Sequence, residues 1–303
     1  KLINIFGIAS CMSYLHSKNI INSNLNPSYI FLDDFLFPKM MLNGIKELPE
    51  NLNFKLPNNE DDIYYFEKDI YKSSELFQYQ SYSTSCDVYA FAMIAYSIIT
   101  NQKPYFQQNV INRLTYKDVL PLFPETTPKC YRNLIEKCWS FNPTERPTFD
   151  EIVYHLQTNE EFLSSSIDKE EYQNYIKFIK SFESQKNIQI EDFILTQNKT
   201  FRKVKLDFNH LRDWARLKFS VNIGSIDLNR FEKQVKIGAG SFGVAYKIIE
   251  KETGLVYAAK VSISEMDECT EDIVLNLSRE VEIFSALNHP SVLKFIGYSP
   301  LDF

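Results

Sequence analysis

The pattern of apolar and polar positions changes twice along the chain. From residue 1 to about 158, apolar residues recur mostly at helical spacing. The first helix shows this spacing at Leu2, Ile5, Ala9, Met12 and Leu15. We therefore expect an amphipathic helix that faces a core and ends near His16.

Further helices are predicted later in this first part. The run "VYAFAMIAYSII" is too short to cross a bilayer and predicts a buried core helix at 88–100. Helices are also expected around 128–139 and 148–157. A short apolar strand is expected at 29–32, and residues 43–75, rich in Asn, Pro, Asp and Glu, predict a long loop.

Residues 159–228 differ in pattern and charge from the first part, and they predict a helical, basic linker. The stretch "KEEYQNYIKFIKSF" predicts an amphipathic helix with Tyr172, Tyr175, Ile176 and Ile179 on one face. Residues 199–218 carry seven Lys or Arg against two Asp. Two interpretations stay open for this basic stretch, a solvated helix face or a docking patch for an acidic partner.

From Phe231 the pattern predicts strands. "VKIGAGSFGVAYKII" and "GLVYAAKVSI" are two β runs joined by a turn at 252–254. A Glu-rich helix is expected at about 272–287, and "VLKFIGY" is expected to start another strand. The whole pattern predicts an α+β protein with a mainly helical part first, then a linker helix, then a small antiparallel sheet with one helix.

Composition narrows the function classes. The chain has 303 residues, which suggests about two domains. A net charge of −6 argues against nucleic acid as the main partner. Five scattered cysteines without C-x-x-C spacing predict free thiols in a reducing, cytoplasmic compartment and no zinc site.

The first fifteen residues resemble a signal peptide in having one Lys, an apolar run and then small residues. Their helical spacing favours a core helix instead, and no membrane span is expected. Because the chain does not begin with Met, we expect it to begin inside a longer protein.

Residues 237–243, Ile-Gly-Ala-Gly-Ser-Phe-Gly, contain a G-x-G-x-x-G loop. The same motif occurs in dinucleotide-binding sheets, where a strand leads through the glycines into a helix. Here strand leads to strand. A lysine, Lys260, follows on the next strand after Ala258, and Glu280 follows on the predicted helix.

These residues together resemble the N-terminal lobe of a eukaryotic protein kinase, which we place at 229–303. The resemblance implies ATP binding: the glycines approach the phosphates, Lys260 neutralises them and Glu280 holds the lysine. The adenine would lie under Ile237, Ala245 and Ala258, and Ala245 stands where the family usually has Val. The implied ATP-binding residues are Ile237, Gly238, Gly240, Ser241, Phe242, Gly243, Ala245, Ala258, Lys260 and Glu280.

Residues 1–158 resemble a kinase C-terminal lobe. The stretches "YLHSKNIINSNLNPSYIFLDD", "DIYKSSEL" and "LIEKCWSFNPTERPTF" carry this resemblance, and the spacing of the last is that of the tyrosine-kinase-like group. It implies structural roles for Glu75, Asp87 and Arg146. Glu75 and Arg146 are expected to form a buried ion pair.

The catalytic loop of this lobe departs from the family pattern H-R-D-L-K-P-x-N. Asn24 stands at the catalytic Asp, Asn26 at the phosphate-stabilising Lys and Tyr29 at the metal-binding Asn. The Asp-Phe-Gly motif reads Leu42-Asn43-Gly44. The resemblance therefore predicts a pseudokinase lobe with no intact catalytic residue and no metal ligand of its own, so ATP should bind weakly and without held Mg²⁺.

The lobes run in the order opposite to that of a kinase, and two explanations stay open. The chain is either an internal piece of a tandem kinase or a permuted kinase whose N-lobe folds back on its C-lobe. Three function classes follow: part of a protein Ser/Thr kinase in signal transduction, a nucleotide-sensing module, or a pseudokinase scaffold that regulates a neighbouring kinase domain. The implied partners are that domain or a protein substrate.

Overall fold

The computed structural model describes residues 1–22, 24–42, 70–79, 82–105, 120–163, 168–183, 226–240, 243–261, 281 and 283–299. Contacts divide the chain into two units. Unit 1 contains Lys1–Lys186 together with Asn288–Leu293, and unit 2 contains Asn187–Leu287 together with Lys294–Phe303. The predicted α+β class is confirmed, with helices in unit 1 and an antiparallel sheet in unit 2.

Unit 1 consists of helices around one short hairpin. In chain order its elements are α1 (Leu2–Ser17), β1 (Ile30–Leu32), β2 (Pro38–Met40), α2 (Ser74–Tyr79), α3 (Thr84–Thr100), α4 (Lys129–Cys138), α5 (Phe149–Thr158) and α6 (Lys169–Glu183). A capping box at Thr148 and Glu151 begins α5. Asn101, at a φ of 58°, ends α3 in the left-handed conformation.

Helix α1 lies at the centre of unit 1 instead of on its surface. It contacts α3, α5, α6 and β2, so its residues are buried on almost every side. Besides the predicted apolar face, Phe6, Gly7, Ile8, Ser10 and Cys11 are buried. The prediction of an amphipathic helix was wrong in this respect, because a helix surrounded by four elements keeps only half-buried positions, such as Ser13, and an exposed end at Ser17.

Helix α3 is the predicted core helix and begins four residues earlier than expected, at Thr84. All residues from Cys86 to Tyr96 are buried. Among the residues that the structure describes, no helix is long and apolar enough to cross a lipid bilayer. The four cysteines in the described ranges, Cys11, Cys86, Cys130 and Cys138, are buried and form no disulfide.

At Gly7, helix α1 packs closely against Pro38 of β2 and Tyr175 of α6. A Cβ atom at position 7 would lie 2.5 Å from Pro38 Cγ and would also overlap Tyr175 Oη. Alanine is favoured over glycine within a helix by about 1 kcal/mol. Overpacking of a core costs about 1–3 kcal/mol, so the two effects oppose each other.

We expect Gly7→Ala to lower the free energy of unfolding by about 1–2 kcal/mol, because the overlap exceeds the gain in helix propensity. Urea unfolding measures this change, with the exposed Ser17→Ala at the end of the same helix as control. Adding Tyr175→Phe should restore part of the loss. A Gly7→Ala chain at least as stable as the wild type would contradict the expected close packing.

Helix α6 belongs to unit 1, although it lies inside the predicted linker at 159–228. Tyr172, Tyr175 and Ile179 on its predicted apolar face are buried, at 2%, 3% and 1% exposure. The ring of Phe6 contacts both tyrosines, with centroids 5.6 and 6.2 Å away. The basic stretch at 199–218 lies outside the described residues.

Unit 2 is built on a three-stranded antiparallel sheet in the order β3 (Phe231–Gly240), β4 (Gly243–Glu250) and β5 (Val256–Val261). The β3 register shifts between Lys236 and Gly238, which leaves Ile237 as the extra residue of a β-bulge. The β4–β5 turn includes Gly254 at a φ of 71°. This left-handed conformation favours glycine, as the predicted turn at 252–254 requires.

The last predicted elements are only partly present. Residues 283–286 are helical and form the described end of the helix expected at 272–287. Residues 292–298 do not form the strand expected there. Val292 forms an isolated parallel bridge with Met40 of β2, and the carbonyl of Tyr298 accepts a hydrogen bond from Ile226 N at 2.8 Å. The segment pairs with other parts of the chain, which a local pattern does not reveal.

Candidate functional site

The loop between α1 and β1 is anchored to α3 through Asp87. This carboxylate is 1% exposed, and its Oδ2 lies 2.8 Å both from Asn22 N and from His16 Nε2. Burial raises the pKa of Asp87 to about 6, and the hydrogen bond and charge of His16 act in the opposite direction. The sequence analysis missed His16, which its position in "YLHSK" at the end of α1 could have indicated.

The amide groups of the loop bond to one another. Asn26 Nδ2 donates to Asn24 O at 3.0 Å and to Asn24 Oδ1 at 3.1 Å. Asn26 Oδ1 accepts from Ser28 N at 3.0 Å and so caps the 3₁₀ turn at Pro27–Tyr29. The structure thus brings Asn24 and Asn26 together. We call these hydrogen bonds between Asn24, Asn26 and Ser28 N the bracket, because they hold the loop in shape; Asn26 is only 3% exposed.

Tyr29 and Leu42 lie close together beside the β1–β2 hairpin. Ile30 pairs with Met40, and beyond this pair Met41 N donates to Tyr29 O at 2.8 Å. Leu42 follows at once and is 2% exposed. A phenol and a buried alkyl group offer a hard cation such as Mg²⁺ no carboxylate or amide oxygen. Asn43 and Gly44 lie outside the described residues.

A recess beside the loop is lined by Asn24, Asn26, Tyr71, Lys72 and Tyr82, among others. Its volume of about 10 Å³ is room for one water molecule. The recess joins the loop to the segment that leads into α2. A space of this size does not admit a nucleotide or a peptide side chain.

Glu75 of α2 and Arg146 form the ion pair expected from the sequence. Arg146 NH1 donates to Glu75 Oε1 at 2.5 Å, and NH2 donates to Oε2 at 3.1 Å. Burial opposes the charged form of Glu75, but the hydrogen bonds and charge of Arg146 outweigh it, so the pKa of Glu75 is lowered. The guanidinium also lies 5.1 Å from the ring centre of Tyr89.

In unit 2 three of the predicted site residues, Gly238, Ala245 and Lys260, lie in one row across the sheet. Gly238 of β3 is paired with Ala245 of β4, and Ala245 is paired with Lys260 of β5. Directly paired residues share a face of the sheet. Gly240 is paired with Gly243 where β3 turns into β4, so the glycine loop begins two residues along these strands from the row.

The same face carries a second lysine. Lys247 is two residues from Ala245 and pairs with Ala258, so both share the face of Ala245 and Lys260. Ala245 is buried at 7% exposure, whereas Ile237, in the bulge, is 44% exposed. This face therefore combines a small buried side chain with two ammonium groups. The sequence analysis did not include Lys247, which strand alternation could have indicated.

The remaining predicted site residues, Ser241, Phe242 and Glu280, lie outside the described residues. The expected ion pair between Lys260 and Glu280 therefore stays a prediction. Ala258 and Lys260 are exposed within unit 2.

Comparisons with known proteins agree with these motifs. The family described as protein tyrosine and serine/threonine kinase matches residues 2–156, which is half of the chain. The family described as protein kinase domain matches residues 231–300. The two matches lie on the two parts of the chain in which the C-lobe and N-lobe motifs occur.

Related proteins come from Dictyostelium discoideum. The dual specificity protein kinase pyk3 is 26% identical over 296 residues, which cover 96% of this chain and 19% of that protein. A dual specificity protein kinase, shkD, is 26% identical over 210 residues, covering 67% of this chain and 27% of that protein. A probable LIM domain-containing serine/threonine-protein kinase is 30% identical over 167 residues, covering 54% of the chain and 24% of that protein.

The chain thus spans between 19% and 27% of the length of these relatives. Three findings support the same family assignment. They are the motifs of the two lobes, the two family matches, and the ion pair between Glu75 and Arg146. This chain belongs to the eukaryotic protein kinase family.

Proposed function

We propose that the chain is a piece of a tandem protein kinase, in which a pseudokinase C-lobe precedes the ATP-binding N-lobe of a second kinase domain. The relative pyk3 supports this proposal, because its match covers 96% of this chain, both lobes included, and only 19% of that protein. In the intact protein the second domain would phosphorylate Ser or Thr of a protein substrate. We expect the protein to act inside the cell, which the lack of disulfides among the four described cysteines supports.

The proposal of a pseudokinase C-lobe rests on one observation, the bracket between Asn24 and Asn26. A catalytic loop needs a carboxylate that accepts the proton of the substrate hydroxyl, and an amide does not titrate in the useful range. It also needs a cation over the transferred phosphate. Here both positions hold amides that bond to each other and to Ser28 N. These side chains build the loop and leave no group for phosphoryl transfer.

The nucleotide-binding half is supported by the row Gly238, Ala245 and Lys260. Glycine lets the backbone approach phosphates closely, and a lysine on the same face supplies the counter-charge. Lys247 adds a second positive charge to this face. In the proposal Ile237 and Ala258 complete the apolar cover of the adenine. Mg²⁺ would have to be held by another lobe, because Tyr29 and Leu42 provide no suitable ligands.

A second candidate function is a regulatory scaffold that binds nucleotide weakly and transfers no phosphate. The anchoring of the loop by Asp87 favours it, since the frame of the lobe is retained where its chemistry is not. The two candidates differ in whether an active C-lobe is present elsewhere in the protein.

We expect this chain to bind ATP with a dissociation constant of about 100 µM or weaker, about −5.5 kcal/mol, and Mg²⁺ to change it little. Calorimetric titration with and without Mg²⁺ measures both quantities. Lys260→Met should abolish the binding. Lys251→Met, in the turn at the opposite end of β4, is the control and should leave it unchanged.

A second measurement tests phosphoryl transfer from ATP to protein. Incubation with radiolabelled ATP and a general protein substrate should give no labelled product. Labelling that survives Asn24→Ala but disappears in Lys260→Met would contradict the pseudokinase proposal. Submicromolar, Mg²⁺-dependent binding would also contradict it, because it requires a complete metal site.

A further inference from the structure

A row of aromatic side chains crosses one side of unit 1, from the tip of the β1–β2 hairpin to helix α6. The rings are those of Phe35, Phe37, Tyr175, Phe178 and Phe182, and the centroids of successive rings lie 6.0, 4.5, 6.4 and 5.3 Å apart. Ring pairs at such distances attract each other. We call these five residues the aromatic row, and it joins the hairpin and the helix into one surface.

Part of the aromatic row is open to solvent. Phe35 is 76% exposed and Phe178 is 42% exposed, and Leu36, which follows Phe35, is 66% exposed. Tyr175 is only 3% exposed, so the middle of the row is fixed in the core. A single exposed apolar side chain is common on a protein surface, whereas a contiguous apolar patch often marks an interaction site.

The hairpin tip holds its apolar side chains in one conformation. Asp33 Oδ1 accepts hydrogen bonds from Phe35 N at 3.0 Å and from Phe37 N at 2.9 Å. Leu36 N donates to Asp33 O at 2.8 Å, and Leu36 has a φ of 61°, in the left-handed region that is unfavourable for leucine. The tip therefore presents Phe35 and Leu36 to solvent in a fixed arrangement, and a surface fixed in advance loses little entropy on binding.

A groove of about 430 Å³ lies beside the middle of the aromatic row. This volume lies within the range of about 300–1,000 Å³ that is usual for ligand sites. The groove has an apolar part and a polar part. The apolar part is formed by Phe37, Tyr175 and Phe178, and the polar part is formed by Asp168, Glu170, Glu171 and Asn174.

Three carboxylates give the groove a negative charge. Asp168 Oδ1 accepts from the amides of Glu170 and Glu171 at 2.9 and 3.0 Å and so caps the start of α6. The side chains of Glu170 and Glu171 are exposed, and the neighbouring Lys169 pairs with Glu160 at 3.2 Å. The start of a helix carries about half a positive charge, which three carboxylates outweigh.

An arginine side chain suits both parts of this groove. A guanidinium stacks on an aromatic ring and also pairs with a carboxylate through parallel hydrogen bonds. The exposed Phe35 and Leu36 suit an apolar side chain close to that arginine. Nucleic acids and anionic lipids are poor candidates for this surface, because they carry the same sign of charge as the groove.

We propose that the aromatic row and its groove bind a basic segment of a partner protein. An arginine of that segment enters the groove, and a neighbouring apolar residue packs on Phe35 and Leu36. Helix α6 lies beyond the family match at 2–156, so the surface combines a hairpin inside the matched range with a helix outside it. This inference goes beyond the proposed function and depends neither on ATP binding nor on phosphoryl transfer.

Fluorescence anisotropy with the whole chain tests the proposal. The probe is a short fluorescent peptide of alternating arginine and leucine, and in the matched control peptide each arginine is replaced by glutamate. The arginine peptide should bind at least about 10-fold more tightly than the glutamate peptide. Added salt should weaken this binding, because it screens exposed charges.

Leu36→Gly is a variant that removes the apolar side chain and keeps the backbone, because glycine readily adopts the left-handed conformation. It should weaken binding several-fold without lowering the thermal midpoint. The double variant Glu170→Lys and Glu171→Lys should weaken binding about 10-fold or more. Tyr154→Ala on α5 and Glu136→Lys on α4 replace an exposed aromatic and an exposed acidic residue away from the groove, and both controls should bind as the wild type does.

Three results would overturn the proposal. The first is failure of the arginine peptide to bind the wild type at low salt, or equal binding of the two peptides. The second is equal binding of the arginine peptide to the wild type, Leu36→Gly and the double variant. The third is a wild-type dimer in sedimentation that Leu36→Gly converts to a monomer, because a second copy of the chain would then occupy this surface.

Discussion

Replacing Arg146 by alanine should lower the free energy of unfolding of unit 1 by about 3–5 kcal/mol, the loss typical of a buried ion pair that loses one partner. The Arg146 side chain is 1% exposed and that of Glu75 is 13% exposed. The guanidinium also donates to Ser140 O at 2.8 Å and to Ser85 O at 2.9 Å. The substitution therefore leaves a carboxylate and two carbonyl groups without these donors.

The pH dependence of this loss follows from the lowered pKa of Glu75. A carboxyl group whose pKa is lower in the folded state contributes stability above its unfolded pKa and loses it as the pH falls through the folded pKa. The difference between wild type and Arg146→Ala should therefore be full at pH 7 and narrow below about pH 4.

Urea unfolding followed by circular dichroism measures the effect. Lys129→Ala, at the exposed start of α4, is the matched control and should change stability by less than about 0.5 kcal/mol. If Arg146→Ala and Lys129→Ala had the same midpoint, the ion pair between α2 and the segment before α5 would not carry the expected stability.

Acidification from pH 7.5 to pH 5 should weaken the docking of residues 288–293 by about 2 kcal/mol through His289 alone. Burial, and secondarily the positive charge of Lys39, lowers the pKa of His289 to about 3 in the docked state. The undocked imidazole has a pKa of about 6.5. Docking is therefore at full strength above pH 6.5 and weakens by about 1.4 kcal/mol for each unit below it.

The other titratable groups near the ring belong to three elements. They are Tyr14 of α1, Lys39 of β2 and Tyr175 of α6, and the Lys39 ammonium also lies 3.3 Å from Asp33. The two tyrosines do not ionise between pH 5 and 7.5, because burial raises the pKa of each. The change in this pH window is thus expected to come from His289.

Urea unfolding at pH 7.5 and pH 5 compares the wild type with His289→Asn, whose side chain keeps an acceptor for Ser291 N but does not titrate. The stability difference between the two chains should be about 2 kcal/mol smaller at pH 5. His155→Asn, exposed on α5, is the matched control. An unchanged difference between the wild type and His289→Asn would show that the imidazole does not stay neutral on docking.

The features that could be predicted from the sequence are those that depend on a local pattern of apolar residues or on a family motif. The continuous apolar run predicted α3, and the spacing of Tyr172, Tyr175 and Ile179 predicted the buried face of α6. The motifs around Glu75 and Arg146 predicted their ion pair, although 71 residues separate them. Such features depend on short windows or on pairs that the family motif already links.

The features that could not be predicted depend on contacts between distant parts of the chain. Val292 lies in an apolar run that suits a strand, but it bridges Met40 instead. The burial of Ser10 on α1 follows from a histidine 279 residues away. Spacing along one helix cannot report that a second segment covers its polar positions. The bond between Asn24 and Asn26 was also hidden, because an amide is equally suited to solvent and to a turn.

The bracket formed by Asn26 limits which side chains the loop accepts. A lysine at position 26 would lose the acceptor for Ser28 N and both bonds to Asn24, and it would place an ammonium where the side chain is 3% exposed. An aspartate at position 24 would keep the acceptor for Asn26 Nδ2. Position 26 therefore tolerates substitution less well than position 24, because its amide is both donor and acceptor within the loop.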